Sequence, residues 1–294
     1  MLISEIHFTT KSSIRIPNYS IYDTQHSNGA AHGGTAIIIK NNIKHHLHGH
    51  YNRAHLQATS VTTDDCLGPL TFAAVYCPPK HVIKADHFLS FYATLGRRFL
   101  AGGGYNAKHC HWGSRLTTPK RWELFRAMQT ANLGHVSTGE PTHWPSDRRK
   151  VPDLIDFAAV QRIPARRLRA ESSFDLSLDH SPVLISLHSR LVPKPSAPIL
   201  STKRTNWATF RTLIHETLIL HVPLKTAQDL EDNVQHLVQT IQQAAWNSTP
   251  LPHIPTHTNT CATPIKQKIM EKRKLRRRWQ NTRSPQDKQF STKL

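Results

Sequence analysis

Up to about residue 190 the sequence alternates short apolar, β-branched runs that stop at Gly or Pro with stretches whose apolar residues recur at helical spacing. That alternation constrains the fold more than any other feature. Residues 35–40, 70–77, 97–102, 153–160 and 182–188 have the length and composition of strands, while 81–95 and 119–131 have the period of amphipathic helices. Strands interleaved with helices in this way predict an α/β or α+β domain with one buried core. The longest apolar runs, TAIII at 35–39 and TFAAVY at 71–76, are far short of the roughly 18 residues that a membrane-spanning helix needs. No membrane partner is expected. The opening MLISEIHFTTK places an acidic residue and a His where a secretory leader requires an apolar stretch, so none is expected.

The pattern changes at Val192-Pro193-Lys194-Pro195-Ser196-Ala197-Pro198, where three prolines remove backbone donors and disfavour helix. This reads as a linker over 192–204, separating a first domain at 1–191 from a helical region at 205–294 with helices expected at 205–220, 225–246 and 264–281. Charge divides the chain similarly. The formal net charge is +19, and residues 266–294 alone carry 11 basic against two acidic side chains. An excess of this size favours polyanionic partners. The run KRKLRRRW at 272–279 reads either as a solvated helix face or as a phosphate-binding arm. Four cysteines, Cys66, Cys77, Cys110 and Cys261, lack any CxxC spacing, which gives neither a disulfide framework nor a zinc ribbon and fits a reducing compartment.

In five places the first domain sets polar or acidic residues at the ends of apolar strands, where side chains from several strands can converge on one rim. These are LISE ending at Glu5, VYCPP with Tyr76, AGGGYNAKH at 101–109, PDLIDF with Asp156, and LDHSPVLISL at 178–187. An acid at the end of a buried strand is costly unless paired, protonated or bound to a metal. Any one of these equally suits a capping or turn residue; five in order point to chemistry.

In that order, LISEIHFT at 2–9, HGGTAIIIK at 32–40, FAAVYCPPK at 72–80, GGGYNAKHCHWGSRL at 102–116, PTHWPSDRRKVPDLIDF at 141–157 and LDHSPVLISL at 178–187 resemble the endonuclease domain of jockey-like non-LTR retrotransposons. That domain is part of the endonuclease/exonuclease/phosphatase superfamily. The later stretches AAWNSTP at 244–250 and EKRKLRRRWQNTRSPQDK at 271–288 resemble the segment that leads into such elements' reverse transcriptase. No polymerase motif follows, so the chain reads as a fragment ending before that enzyme. The resemblance implies an α+β fold, a two-sheet sandwich flanked by helices (DNase I-like), followed by a helical basic tail.

The resemblance also implies roles. Glu5 and Asp179 would hold Mg2+ (or Mn2+), a hard cation suited to few carboxylates and retained waters. Tyr76 would lie near the scissile phosphate and Asn106 would orient water or phosphate. Asp156 would orient His180, and His180 would donate to a phosphate oxygen as charge develops. Thr142 would touch phosphate. The implied reaction nicks one DNA strand and leaves the 3′ hydroxyl that primes reverse transcription. Target DNA is the implied partner, with element RNA on the basic tail and a nuclear location following from the substrate.

Two departures from the pattern bear on activity. Gly104 stands where the family has the Asp of GGDFNAKH, the residue that would activate water, and loss of a general base costs roughly 10² to 10⁴ in rate. The family's first strand would precede LISE, yet Met1 begins almost inside the second. Leu178 replaces the usual Ser of the SDH motif, a smaller change. Two other readings stay open: a basic nucleic-acid-binding remnant that does not cut, and a phosphatase of the same superfamily. The cluster Lys108-His109-Cys110-His111-Trp112 lacks the further ligands of a zinc site, and Gly102-Gly103-Gly104 lacks the Lys of a phosphate loop.

Overall fold

The run at 71–76 is almost wholly apolar because both of its faces are largely buried. In the computed structural model, which describes residues 1–115, 119–147, 149–173, 179–194, 200–218, 222, 225–250 and 263–288, it forms most of strand β6 (Gly68–Tyr76). β6 lies inside a six-stranded sheet of order β4-β5-β6-β7-β9-β8, whose other strands are β4 (His45–Arg53), β5 (Leu56–Asp65), β7 (Phe99–Gly104), β8 (Gly134–Val136) and β9 (Asp156–Gln161). Only the β6–β7 pair is parallel, and helix α1 (Ala85–Ala93) makes the crossover that a parallel pair requires.

Alternate residues of the sheet enter opposite cores. Ala73, Val75, Phe99, Ala101, Phe157 and Ala159 meet Phe88, Phe91 and Tyr92 of α1 and Leu124, Ala127 and Met128 of α2 (Pro119–Thr130). Their sequence neighbours Leu100, Ala158 and Val160 face the other way. There they meet a second layer, made of the three-stranded sheet β1-β3-β2 (Leu2–Ser4, Thr35–Lys40 and Tyr19–Thr24) and the ladder of β10 (Leu168–Ser172) with β11 (Val183–Leu187). The architecture is α+β: two strand layers with helices on the outer face of the larger one.

The chain divides into two units, Met1–Pro195 with Ala262–Leu294, and Ser196–Cys261. The core of the expected linker, 195–199, lies outside the described residues, as does Leu178. The second unit holds α3 (Trp207–Thr217), capped by the Asn206 side chain, packed on α4 (Ala227–Ser248), whose Thr226 and Asp229 form a capping box. Helix α5 (Thr263–Thr282) departs from the expected division. Rather than continuing the helical region from 205, it packs within the first unit, because Arg276, Trp279 and Gln280 bury one stripe of it there. Among the described residues no helix is long and apolar enough to cross a membrane.

Candidate active site

At the rim of the large sheet, strand register alone lines up three of the sequence-predicted positions. Tyr76 is the register partner of Gly104, and Gly104 is the partner of Asp156, so the ends of β6, β7 and β9 present them side by side. β1 of the second layer is stitched to this rim through Ser4, whose Oγ donates to the Val75 carbonyl (2.7 Å) and accepts from the Gly104 amide (3.1 Å). The next residue, Glu5, turns the chain with a left-handed φ of 57° and a backbone bond to the Gly34 carbonyl. Such a backbone is rare outside Gly and Asn and is concentrated at functional sites. It leaves the Glu5 carboxylate beside the Tyr76 hydroxyl. Burial, then the Glu5 charge and hydrogen bond, push the Tyr76 phenol well above its ordinary range.

Asp156 and His180 form the most defined pair. Asp156 Oδ2 lies 2.7 Å from His180 Nδ1, which leaves Nε2 as the outward-facing nitrogen. Burial disfavours the charged imidazole, but the Asp156 hydrogen bond and charge, joined by Asp179 and Glu5, outweigh it and hold His180 above its usual value. Thr142 fixes this pair from below. It is fully buried, and its Oγ1 accepts from the amides of Ile155 (3.1 Å) and Asp156 (3.0 Å), so its side chain is turned to the start of β9. Asn106 also adopts a left-handed φ, 49°, and its Nδ2 donates to the Cys77 carbonyl (3.1 Å), tying the loop after β7 to the end of β6.

Sequence reasoning passed over His143, next to Thr142 in PTHW. Its backbone bridges both Asp153 and His180, its ring centroid is 4.8 Å from that of His180, and its Nε2 is 3.7 Å from Asp179 Oδ2. Burial, then the neighbouring His180 charge, lower the pKa of His143 against the pull of Asp179 and Asp156, so the two imidazoles are driven in opposite directions. His143, Asp179 and His180 offer possible ligand atoms within 4.8 Å of one another, a group that does not include Glu5. The signal available was the His itself, in a motif whose neighbouring Thr drew the assignment. Elsewhere, His109 is buried in an aromatic cluster, stacked on Phe125 at 4.7 Å, and its Nδ1 accepts from the His111 amide.

The three glycines of 102–104 are not equivalent. A Cβ on Gly103, whose φ is 147°, would lie 2.1 Å from the Val75 carbonyl oxygen, so the close β6–β7 approach demands glycine there. A Cβ on Gly104 would meet Asp156 Oδ1 at 3.4 Å and Ser4 Cβ and Tyr76 Cδ2 at 3.8 Å, which is ordinary contact. The backbone tolerates a side chain at 104, pointing at the rim.

Residues 70–184, which hold most of this rim, match the family model described as "Endonuclease-reverse transcriptase". The chain is 30% identical over 292 residues to the probable RNA-directed DNA polymerase from transposon BS of Drosophila melanogaster, and 30% identical over 293 residues to that from transposon X-element of the same species. It is 28% identical over 297 residues to the RNA-directed DNA polymerase from mobile element jockey of Drosophila funebris. These matches take in 98%, 98% and 100% of this chain and 32% of each relative, so the chain spans about a third of their length. Over nearly its whole length the chain is thus similar to one third of the RNA-directed DNA polymerases of jockey and related mobile elements, and its residues 70–184 to an endonuclease model. Among solved structures it is similar to the endonuclease domain of TRAS1, a telomere-specific non-LTR retrotransposon, with a TM-score of 0.49 and 16% identity, covering 59% of this chain and 81% of that one. The catalytic domain of Xenopus laevis APE2 gives a TM-score of 0.45 and 15% identity, covering 62% and 79%.

Proposed function

We propose that this domain hydrolyses one phosphodiester of a DNA strand in a Mg2+-dependent reaction, at a rate limited by the missing carboxylate at position 104. The observation that carries the reading is the Asp156–His180 pair at 2.7 Å on a rim that also holds two further carboxylates. Glu5 and Asp179 are hard oxygen donors whose charges both reach His180, and their side chains are 45% and 56% exposed, leaving room for a hydrated cation. They fit Mg2+, and when bound it would supply charge stabilisation to the phosphate oxygens.

The residues of the chain supply the rest. His180, whose protonated form Asp156 favours, donates from Nε2 to a non-bridging phosphate oxygen as charge builds there. Asp156 fixes the ring plane, and Thr142 fixes Asp156. Asn106 and Tyr76 line the path of water and phosphate. β7 offers no side chain at Gly104 to take the proton from attacking water, and Asp156 is already committed to His180. Hydrolysis leaves a 3′ hydroxyl, and a chromosomal target places the protein in the nucleus.

Nicking of supercoiled plasmid with Mg2+, comparing the unmodified chain with His180→Ala and Gly104→Asp, tests this. The expected order is Gly104→Asp above the unmodified chain and His180→Ala at background. Nicking that survives His180→Ala would refute it. The same gap at Gly104 favours one second reading, a domain that holds nucleic acid without cutting it, the target DNA or element RNA being bound in part by the basic residues of 266–288. On that reading none of the three proteins nicks, while all bind DNA equally.

A further inference from the structure

α5 comes from the far end of the sequence and ends up on the backbone of the catalytic histidine. Arg276, Trp279 and Gln280 follow i, i+3, i+4 spacing and are only 3%, 6% and 6% exposed. The Arg276 guanidinium donates to the His180 carbonyl at 2.7 Å. Gln280 Nε2 donates to Ser181 Oγ at 3.0 Å, which also accepts from Trp144 Nε1 at 3.1 Å. Past the helix, the Arg283 guanidinium lies 4.9 Å from the Trp279 ring centre and 5.9 Å from that of Trp144, and it donates to the Pro145 carbonyl. Lys288 Nζ donates to Ser146 Oγ at 2.6 Å. The helix and its exit therefore grip both segments, 144–146 and 180–181, that flank the His143–His180 bridge.

The site needs such a grip. His180 sits on an isolated bridge, held by the Ser181 amide on the Thr142 carbonyl (2.6 Å) and the Trp144 amide on the Asp179 carbonyl (2.7 Å), with no strand ladder through it among the described residues. An imidazole that donates to a phosphate must be held within about half an ångström of its productive position. Burying a guanidinium is costly, and a charge-assisted bond to a carbonyl is among the strongest single contacts a side chain makes to backbone. That combination is understandable if the carbonyl's position matters.

We propose that α5 completes the nuclease site, with Arg276 and Gln280 as positioning residues that hold the His180–Ser181 segment against Asp156. The proposal rests on the nuclease reading for its effect on rate, but not for the clamp itself. Its test uses the full chain and, because Gly104 lowers the rate, the Gly104→Asp background. Arg276→Met keeps the packing and removes the donors. A displacement of about 1 Å at a catalytic group costs on the order of 10²-fold, so kcat is expected to fall tenfold to about a hundredfold with KM for DNA unchanged. Arg276→Lys, with a donor restored, recovers part of the loss. Gln267→Ala, an uncharged exposed position of the same helix, leaves kcat unchanged. A rise in KM at constant kcat in Arg276→Met, or an equal kcat loss in Gln267→Ala, overturns the proposal, because α5 would then act as a charged surface or as a helix in general and not through the clamp.

Amide hydrogen exchange of the DNA-free chain supplies a readout that needs no activity. Arg276→Met and Gln280→Ala are each expected to speed exchange in peptides covering 142–147 and 179–184 by at least tenfold, with β6 and β9 unchanged. Unaltered exchange there overturns the clamp. A protein that never nicks but shows the exchange change refutes the nuclease reading and upholds the clamp.

Discussion

Replacing Gly104 by Asp puts a carboxylate where the rim has none, and both its benefit and its cost can be worked out. The new Cβ fits, with Asp156 Oδ1 at 3.4 Å as its nearest neighbour. Its carboxylate would then stand roughly 4 to 6 Å from that of Asp156, and at an effective dielectric of about 20 this repulsion is about 3 to 4 kcal/mol. His180, bonded to the other Asp156 oxygen and with its charged form favoured there, and a cation held by Glu5 and Asp179 would offset most of it. Stability of Gly104→Asp should therefore fall by up to about 3 kcal/mol without divalent ions and recover as Mg2+ is added. A general base contributes about 10² to 10⁴ in rate, equivalent to roughly 2.7 to 5.4 kcal/mol of barrier, so single-turnover nicking of supercoiled plasmid should accelerate by that factor. If the unmodified chain nicks as fast as a folded Gly104→Asp protein, position 104 is not where the base acts and the reasoning fails.

Other predictions concern the frame around the site. Asp65 is buried against Arg98 (Nη1 to Oδ1, 2.7 Å), and the Arg98 hydrogen bond, with Ser189 and the Leu67 amide and against burial, holds its carboxyl below the usual carboxylate range. Asp65→Asn should cost about 3 to 5 kcal/mol in urea denaturation at pH 7. A depressed pKa stabilises the folded chain above the unfolded value near 3.9, so the gap from the unmodified chain should narrow as the pH falls below about 4. Gly103→Ala should destabilise by roughly 3 kcal/mol or more, since the Val75 carbonyl cannot retreat from a parallel ladder, whereas Gly102→Ala is tight only against the tip of Leu2 (3.2 Å), with Ala158 and Leu100 at ordinary contact, and should cost about 1 kcal/mol; denaturation midpoints distinguish them. Thr142→Val orphans two buried amides at about 1 to 3 kcal/mol each, and thermal melts should fall together with nicking as Asp156 loosens.

What could be read in advance follows from burial on one face or two. β3, β6, β7, β9 and β11 were legible because they carry apolar residues into one or both cores. β5 was not, although nearly all of it is buried, because its sequence LQATSVTTDD satisfies itself with side-chain bonds, such as Thr59 to Thr24 and Thr35, that composition does not reveal. β4 is an exposed, His-rich edge strand and gives no apolar pattern. At the rim, Asp156 and His180 stood in recognisable motifs. The contacts of Thr142 and Arg276 did not, because their partners are backbone groups, and a backbone carbonyl or amide has no letter of its own in the sequence. A basic run with one buried stripe looks, letter by letter, like a run that is solvated all round.

The order of synthesis gives the docking of α5 a temporal side. Arg276 lies 96 positions after the histidine it holds, with the whole second unit translated in between. At about 5 to 20 residues per second, a ribosome needs on the order of 5 to 20 s to cover that interval. During it, β6, β7 and β9 can already pair while the His180 loop waits for its last support. A nascent chain would thus display a folded sheet before it displays a finished site.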